Sequence, residues 1–273
     1  PDVDAVTSVW LLKRFLPGWG NAQLAFAPAG NTLNNEIVDI DPNILHVDTG
    51  LGRLDHHQSD EDTCAAKRTW EYIRKQETRN KKQETDNDAM ERFLDVVNNI
   101  DHFREVYYPN PTADFYDLGL VGILDGLKLL RSYDDQKIVD FSLSALDGIY
   151  KTFQNKVWAE AELKEKGLEF KTKWGKGLAI ETINDEAVRL AQKQGFTLAV
   201  RKDPNKGFVR IKAQPESQVD FTSCYNIYKE KDKEATWYLH SGKKMILNGS
   251  VKNPQSKPTS LTLKEIIEVL KLK

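Results

Sequence analysis

The sequence predicts an α/β protein in three parts: a parallel-sheet domain over residues 1–134, a helical connector over 135–172, and a smaller α+β domain over 173–273. Three observations predict it. Apolar segments of strand and helix periodicity alternate through the first half, the pattern of a parallel sheet with crossover helices. After residue 172 the pattern changes to short strands separated by turn residues. The charge also reverses: residues 1–170 carry 19 Lys and Arg against 30 Asp and Glu, a balance of −11, and residues 171–273 carry 20 against 11, a balance of +9. An acidic half suits cations and a basic half suits an anion.

The elements follow in order. AVTSVWLLKRFL (5–16) has helical spacing and stops at Pro17-Gly18. NAQLAFAP (21–28), EIVDID (36–41) and NILHVD (43–48) read as β elements, the last leaving through the turn Asp48-Thr49-Gly50. TCAAKRTWEYIRKQ (63–76) and AMERFLDVVNNID (89–101) read as helices, with polar residues 77–88 as a loop or frayed end. Residues 112–133 and 135–170 continue as helix. GLAIETIN (177–184), FTLAVRKD (196–203), GFVRIKAQ (207–214), ATWYLH (235–240) and KKMILNGS (243–250) read as strands. DEAVRLAQKQG (185–195) and SQVDFTSCYNIYKEK (217–231) carry helices, and DPNKG (203–207) is a turn. Ser241-Gly242 reads as a two-residue hairpin turn. Thr262 and Glu265 form a capping box for a terminal helix.

No apolar run approaches the roughly 18 residues of a membrane span, and no signal peptide is visible. Cys64 and Cys224 lack metal-type spacing and read as free thiols of a cytoplasmic protein. The first residues, PDVDAV, look like the turn that follows a strand, so residues upstream of Pro1 are expected to be absent from this sequence. There is no G-x-S-x-G and no P-loop; KWGKG (173–177) lacks the P-loop spacing.

Acidic residues stand where elements should end: Asp2 and Asp4 in PDVDA, Asp48 in HVDTG, Asp55 in LDHHQ and Asp101 in NNIDH. In parallel α/β sheets ligands bind at the carboxyl ends of strands, where loops gather distant residues. Carboxylates gathered in one crevice repel unless cations neutralise them. Oxygen ligands mixed with His suit Mn²⁺ better than Mg²⁺. Each motif alone has a plainer reading: a D-x-D pair caps helices, and VDTG is a turn in which Asp bonds its own backbone.

Taken in this order, PDVDA with Ser8, then VDTG, then DHH, then a helix ending in Asp101, the chain resembles the DHH phosphoesterase superfamily. That superfamily includes RecJ-type exonucleases, nanoRNA and cyclic-dinucleotide phosphodiesterases and family II inorganic pyrophosphatases. The resemblance covers residues 1–101 closely and the remainder loosely. It implies a two-ion Mn²⁺ site, with Mg²⁺ as the alternative ion. Asp2 would hold one ion and Asp4 the other, Asp48 would bridge them, and His56 and Asp101 would complete the second ion's shell. His57 would face the substrate phosphate, and Asp55 would orient the neighbouring imidazoles. The family's first motif carries a His just upstream of its P-D-x-D stretch, where this sequence has no residue. His46 reads as a strand residue and His102 as a supporting group.

In the basic half, Arg210, His240, Ser241, Gly242, Lys243, Lys244, Asn248 and Gly249 are the expected substrate contacts, the run HSGKK with NGS standing in for the family's glycine- and histidine-rich turn. Phe208, Tyr225, Trp237 and Tyr238 are candidates to stack a base. The competing reading of HSGKK is a hairpin with solvated lysines. The expected function is hydrolysis of phosphodiesters in short nucleic acids or small nucleotides, with no membrane partner. Pyrophosphate hydrolysis and a non-catalytic nucleotide-binding regulator are the alternatives.

Overall fold

A computed structural model describes residues 1–76, 84–130, 134–250 and 252–271. The chain divides into two compact units, 1–154 and 155–273. Its helices are α1 (Val3–Phe15), α2 (Ala65–Gln76), α3 (Glu84–Asp101), α4 (Leu120–Leu129), α5 (Asp135–Lys166), α6 (Glu186–Lys193), α7 (Thr222–Lys231) and α8 (Leu263–Lys271). Its strands are β1 (Leu168–Thr172), β2 (Gly175–Glu181), β3 (Leu198–Lys202), β4 (Val209–Ala213), β5 (Trp237–Leu239) and β6 (Met245–Asn248). The fold is therefore mixed α/β.

In the first unit α1 is central. Asp2 caps it, its Oδ1 accepting from the Ala5 amide at 2.9 Å, and Leu16 ends it before Pro17. Its Val6, Trp10 and Leu11 are buried among Ile73 of α2 and Phe93 and Leu94 of α3. Trp10 also donates its indole N–H to Asp147 of α5 at 2.9 Å. Met90 and Phe93 face inward, while part of expected loop 77–88 is already helix from Glu84. Residues 77–83 lie outside the described set.

Among the described residues of this unit the expected parallel sheet is not formed. Among the described residues, 21–28, 36–41 and 43–48 contain no strand. The reason is pairing. A strand exists only with a neighbour about 4.8 Å away. Residues 23–27 are assigned no helix, strand or turn, and among the described residues none of their backbone groups has a backbone partner. Across a cavity of about 340 Å³ from Leu24, Ala25 and Ala27 lie Leu45 and Val47. Val47 makes one isolated parallel bridge with Leu54, through which the Asp48 amide donates to Leu54 O at 3.1 Å. The amides of Leu45 and Val47 donate to no backbone carbonyl. Apolar alternation is present on both stretches, but space rather than a partner lies between them.

In the second unit one sheet runs β1-β2-β3-β4-β6-β5, antiparallel except for the parallel β2–β3 pair. β1 falls in the stretch expected to continue α5; the helix stops at Lys166 because Gly167 follows and Leu-Glu-Phe-Lys-Thr pairs with β2. One sheet face, with Ala179, Val200, Ile211 and Ile246, packs on α7 and α8. The other face is divided. Over β2 and β3, Leu178, Ile180 and Ala199 are covered by α6 and the end of α5. Over β4, β6 and β5, register places Arg210, Lys212, Leu247, Met245 and Tyr238 on that same face, where none is buried.

The capping box forms: Thr262 and Glu265 exchange side-chain and amide bonds of 2.8 and 3.3 Å. The hairpin between β5 and β6 is longer than expected. His240 pairs with Met245 and leaves four residues in the loop, because Lys243 takes a left-handed backbone, φ 57°. Among the described residues no helix is long and apolar enough to cross a membrane. Both cysteines are free and buried.

Asn248 tests the difference between structural and substrate-contacting polar groups. It is fully buried, donates to Thr236 O (3.1 Å) and Lys257 O (3.2 Å), and accepts from the Thr259 amide (2.7 Å). Asn248→Ala leaves the buried Thr259 amide without its acceptor, at about 1–3 kcal/mol, while Thr236 O and Lys257 O keep the amides of Gly249 and Thr236. A loss of about 1–3 kcal/mol in denaturant unfolding is expected, carried by stability rather than by ligand affinity.

Candidate metal centre

The site begins at α1. Asp4 in its first turn is buried, and both carboxylate oxygens accept amides from the start of α2, Ala65 (2.7 Å) and Ala66 (2.8 Å). Each oxygen keeps a lone pair for another partner. Asp101, the last residue of α3, brings Oδ2 to 3.4 Å from His56 Nε2. The loop after Val47 brings the rest. Asp48, Gly50 and Leu51 all have left-handed backbones, a conformation that costs non-glycine residues on the order of 1 kcal/mol or more. Gly52 is required by space: a Cβ there would lie 2.4 Å from the Val38 side chain. This strained turn, closed by the Val47–Leu54 bridge, sets Asp48 beside His56 and His57.

The geometry converges on one atom. His56 Nε2 lies 3.4 Å from Asp101 Oδ2, 3.5 Å from Asp48 Oδ1 and 3.8 Å from Asp4 Oδ2. His56 Nε2 and Asp48 Oδ1 are both buried without a hydrogen-bond partner. Two overlapping ligand sets result, Asp4–His56–Asp101 and Asp48–His56–His57. Orphaned polar atoms facing each other in a buried site fit a cation. Asp2, exposed, is near enough to repel Asp48 and Asp101, but its Oδ1 is spent on capping α1. It lines a cavity of about 300 Å³ shared with Asp48.

The electrostatics record the crowding. Burial, then the charges of Asp4, Asp2, Asp101 and Asp55, push Asp48 up to about 9. Burial, with Asp101 adding to it, pushes Asp4 up to about 6 against the pull of the Ala66 and Ala65 amides. Burial raises Asp101 as well, with Asp2 adding and His56 and His102 opposing. Asp55 goes the other way: burial raises it, but hydrogen bonds from His57 and the Leu51 amide outweigh that and hold it low.

The two histidines have different surroundings. His57 is more than half exposed, and its Nδ1 lies 2.7 Å from Asp55 Oδ1. Asp55 orients His57 alone; no bond links it to the His56 ring. His102 Nδ1 donates to Asn98 O at 2.9 Å and sits 3.5 Å from Asp101. His46 lies away from the cluster, its Nε2 accepting from the Leu33 amide. The amides of Ala65 and Ala66 are the participants that sequence reasoning missed; Ala-Ala carries no polar signal of its own.

The second unit scatters the expected substrate contacts. Around HSGKK the donors have partners inside the chain: Gly242 N with His240 Nδ1, Lys243 N with His240 O, Lys243 Nζ with Asp220, and Lys244 Nζ with Ser217 O. Ser241 lies exposed in that loop. Trp237 stacks on Tyr228 in the core, and Tyr225 packs against it. Gly249 (φ 73°) lies under the Phe208 ring, which a Cβ would meet at 2.1 Å. Arg210 pairs with Asp185 at 2.9 Å. Comparison with protein-family models, with curated proteins and with solved structures finds no match for this chain.

The raised carboxyls set a pH dependence. Asp48 and Asp4 bind protons more tightly folded than unfolded, so without divalent cations stability falls as pH rises from about 4, through about 6 for Asp4 and about 9 for Asp48. Melting curves in chelator should show this decline. Mn²⁺ should flatten it, and the gain in melting temperature from Mn²⁺ should grow with pH because protons compete for the same oxygens.

Proposed function

We propose that the chain is a Mn²⁺-dependent phosphoesterase of the DHH type, acting on the phosphodiester bonds of short oligonucleotides or small nucleotides. One observation carries the reading: three carboxylates from α1, the 48–52 turn and α3 meet at the unpartnered Nε2 of His56. Asp4, Asp48, His56 and Asp101 would hold one ion, with Asp2 and Asp48 serving a second. The imidazole in an otherwise oxygen set favours Mn²⁺ over Mg²⁺. Divalent cations there supply polarisation of a phosphoryl oxygen and a water acidic enough to attack at neutral pH.

The chain's own residues do the remainder. Asp4, fixed by two amides, positions one ligand oxygen without side-chain freedom. His102, bonded to Asn98 O, lies 3.5 Å from Asp101 Oδ2. Asp55 Oδ1, 2.7 Å from His57 Nδ1, fixes the ring and leaves its Nε2 for a phosphate oxygen. No side-chain nucleophile is required.

The test pairs metal content with turnover. His57→Ala should keep bound Mn²⁺ near the wild-type level and lower hydrolysis about 100-fold or more, whereas Asp48→Ala and His56→Ala should lose both. Substrates offered in parallel are labelled oligonucleotides, cyclic dinucleotides and pyrophosphate. Equal metal loss in the two histidine variants would overturn the division of roles. Cleavage of pyrophosphate alone would replace the phosphodiesterase assignment.

A further inference from the structure

The second unit holds two adjoining cavities on the open part of its sheet face, about 580 and 420 Å³. They share Ile183, Asp185 and Arg210, so the Asp185–Arg210 ion pair is their common wall. Six cationic side chains line them: Arg189, Arg201, Lys206, Arg210, Lys212 and Lys252. Three acids face them, Asp185, Glu186 and Asp203, leaving an excess of positive charge.

Arg201 and Arg210 stand directly opposite each other on β3 and β4. Like charges in that position destabilise a sheet. One carboxylate holds them together: Asp185 Oδ1 lies 3.0 Å from Arg201 Nη1, and Oδ2 lies 2.9 Å from Arg210 Nη1. Asp185 occupies the N-cap position of α6, yet its side chain caps nothing. It forgoes a local bond worth about 1 kcal/mol to bridge two arginines. Arg201 is buried; its Nη1 also donates to Ile183 O at 3.0 Å, its Nη2 lies 3.8 Å from Asp203, and its Nε has no partner. Two guanidinium groups bridged by one carboxylate present the geometry that two oxygens of a phosphate would occupy. Aromatic surface is present on both sides of the wall, Phe208 in the larger cavity and the half-exposed Trp158 in the smaller. A cationic groove with aromatic faces suits a single strand whose bases are unpaired.

We infer that this groove binds the phosphodiester backbone of a short single-stranded nucleic acid, one phosphate replacing the Asp185 carboxylate between Arg201 and Arg210. The anion site rests on the geometry of residues 155–273. Naming nucleic acid as its ligand rests on the phosphoesterase reading. Binding here needs no metal, which separates the two in experiment.

The probe is a fluorescein-labelled penta-deoxyadenylate titrated with the whole protein in EDTA, read by anisotropy over a salt series. Wild type should bind. Arg210→Gln should weaken binding about tenfold or more and reduce the salt slope by about 0.7. Asp185→Asn, which keeps the size of the side chain but removes the competing charge, should tighten it. Lys252→Gln, at an exposed position, guards against an effect of folding and should weaken binding with an unchanged melting curve. No wild-type binding in EDTA, wild-type affinity in Arg210→Gln, or weaker binding in Asp185→Asn would each overturn the site. Inorganic phosphate competing as well as unlabelled strand would overturn the nucleic-acid assignment. Binding without hydrolysis in Mn²⁺ would leave the groove standing and remove the phosphoesterase.

Discussion

The first unit's site depends on the Asp4 carboxylate and the two amides it accepts. Those bonds tie the first turn of α1 to the first turn of α2, residues 61 and 62 positions apart. Together they are worth on the order of 3 kcal/mol, and they offset part of the cost of burying the charge, which still leaves the Asp4 carboxyl raised. They also remove the side chain's freedom. With Asp4 fixed, α1 and α2 are set in register, Cys64 is enclosed beside the carboxylate, and the Asp101 end of α3 approaches from the other side. An oxygen held by main-chain amides is already fixed in place, which is how a site becomes precise at small entropic cost.

The same pocket accumulates what a stable fold otherwise avoids: like charges, buried atoms without partners, and a left-handed non-glycine turn. These features lie within a few residues of one another, from Asp48 to His57, and among the described residues of the first unit all three coincide only there. Locally unfavourable choices that cluster this tightly indicate a surface shaped for a ligand. The second unit repeats the logic with opposite sign, at the arginines of β3 and β4, where Asp185 supplies the relief that a bound anion would otherwise give.

What could be read in the sequence follows from what each feature depends on. Helices α1, α2, α3 and α8 were legible because period, caps and stops are local: Asp2, Pro17, Thr262 and Glu265 each act within one turn. The strands of the second unit were legible because Val209, Ile211 and Ala213 alternate with Arg210 and Lys212, and the neighbours that complete them lie a turn or a helix away. The sheet of the first unit was not, because 21–28 and 43–48 carry strand composition without a partner, and pairing is a property of two segments. DHH announces a cluster, but only the fold separates His56, turned toward three carboxylates, from His57, held by Asp55. Arg201 and Arg210 are visible as charges in strands; that they face each other is fixed by register, which no single strand specifies.

The unpaired stretch 23–27 and the edge at Leu45 and Val47 have a consequence for strand addition. Their open N–H and C=O groups border apolar side chains, Leu24 and Ala25 on one flank and Val47 on the other. A surface of that kind is a template: any passing β-forming segment can complete it with main-chain hydrogen bonds, whatever its side chains, provided they are apolar enough to fit. Another molecule of the same protein, partly opened, supplies such segments at a rate that rises with concentration. Along this edge, strand addition meets less competition from existing main-chain pairs than it does on the paired strands of the second unit.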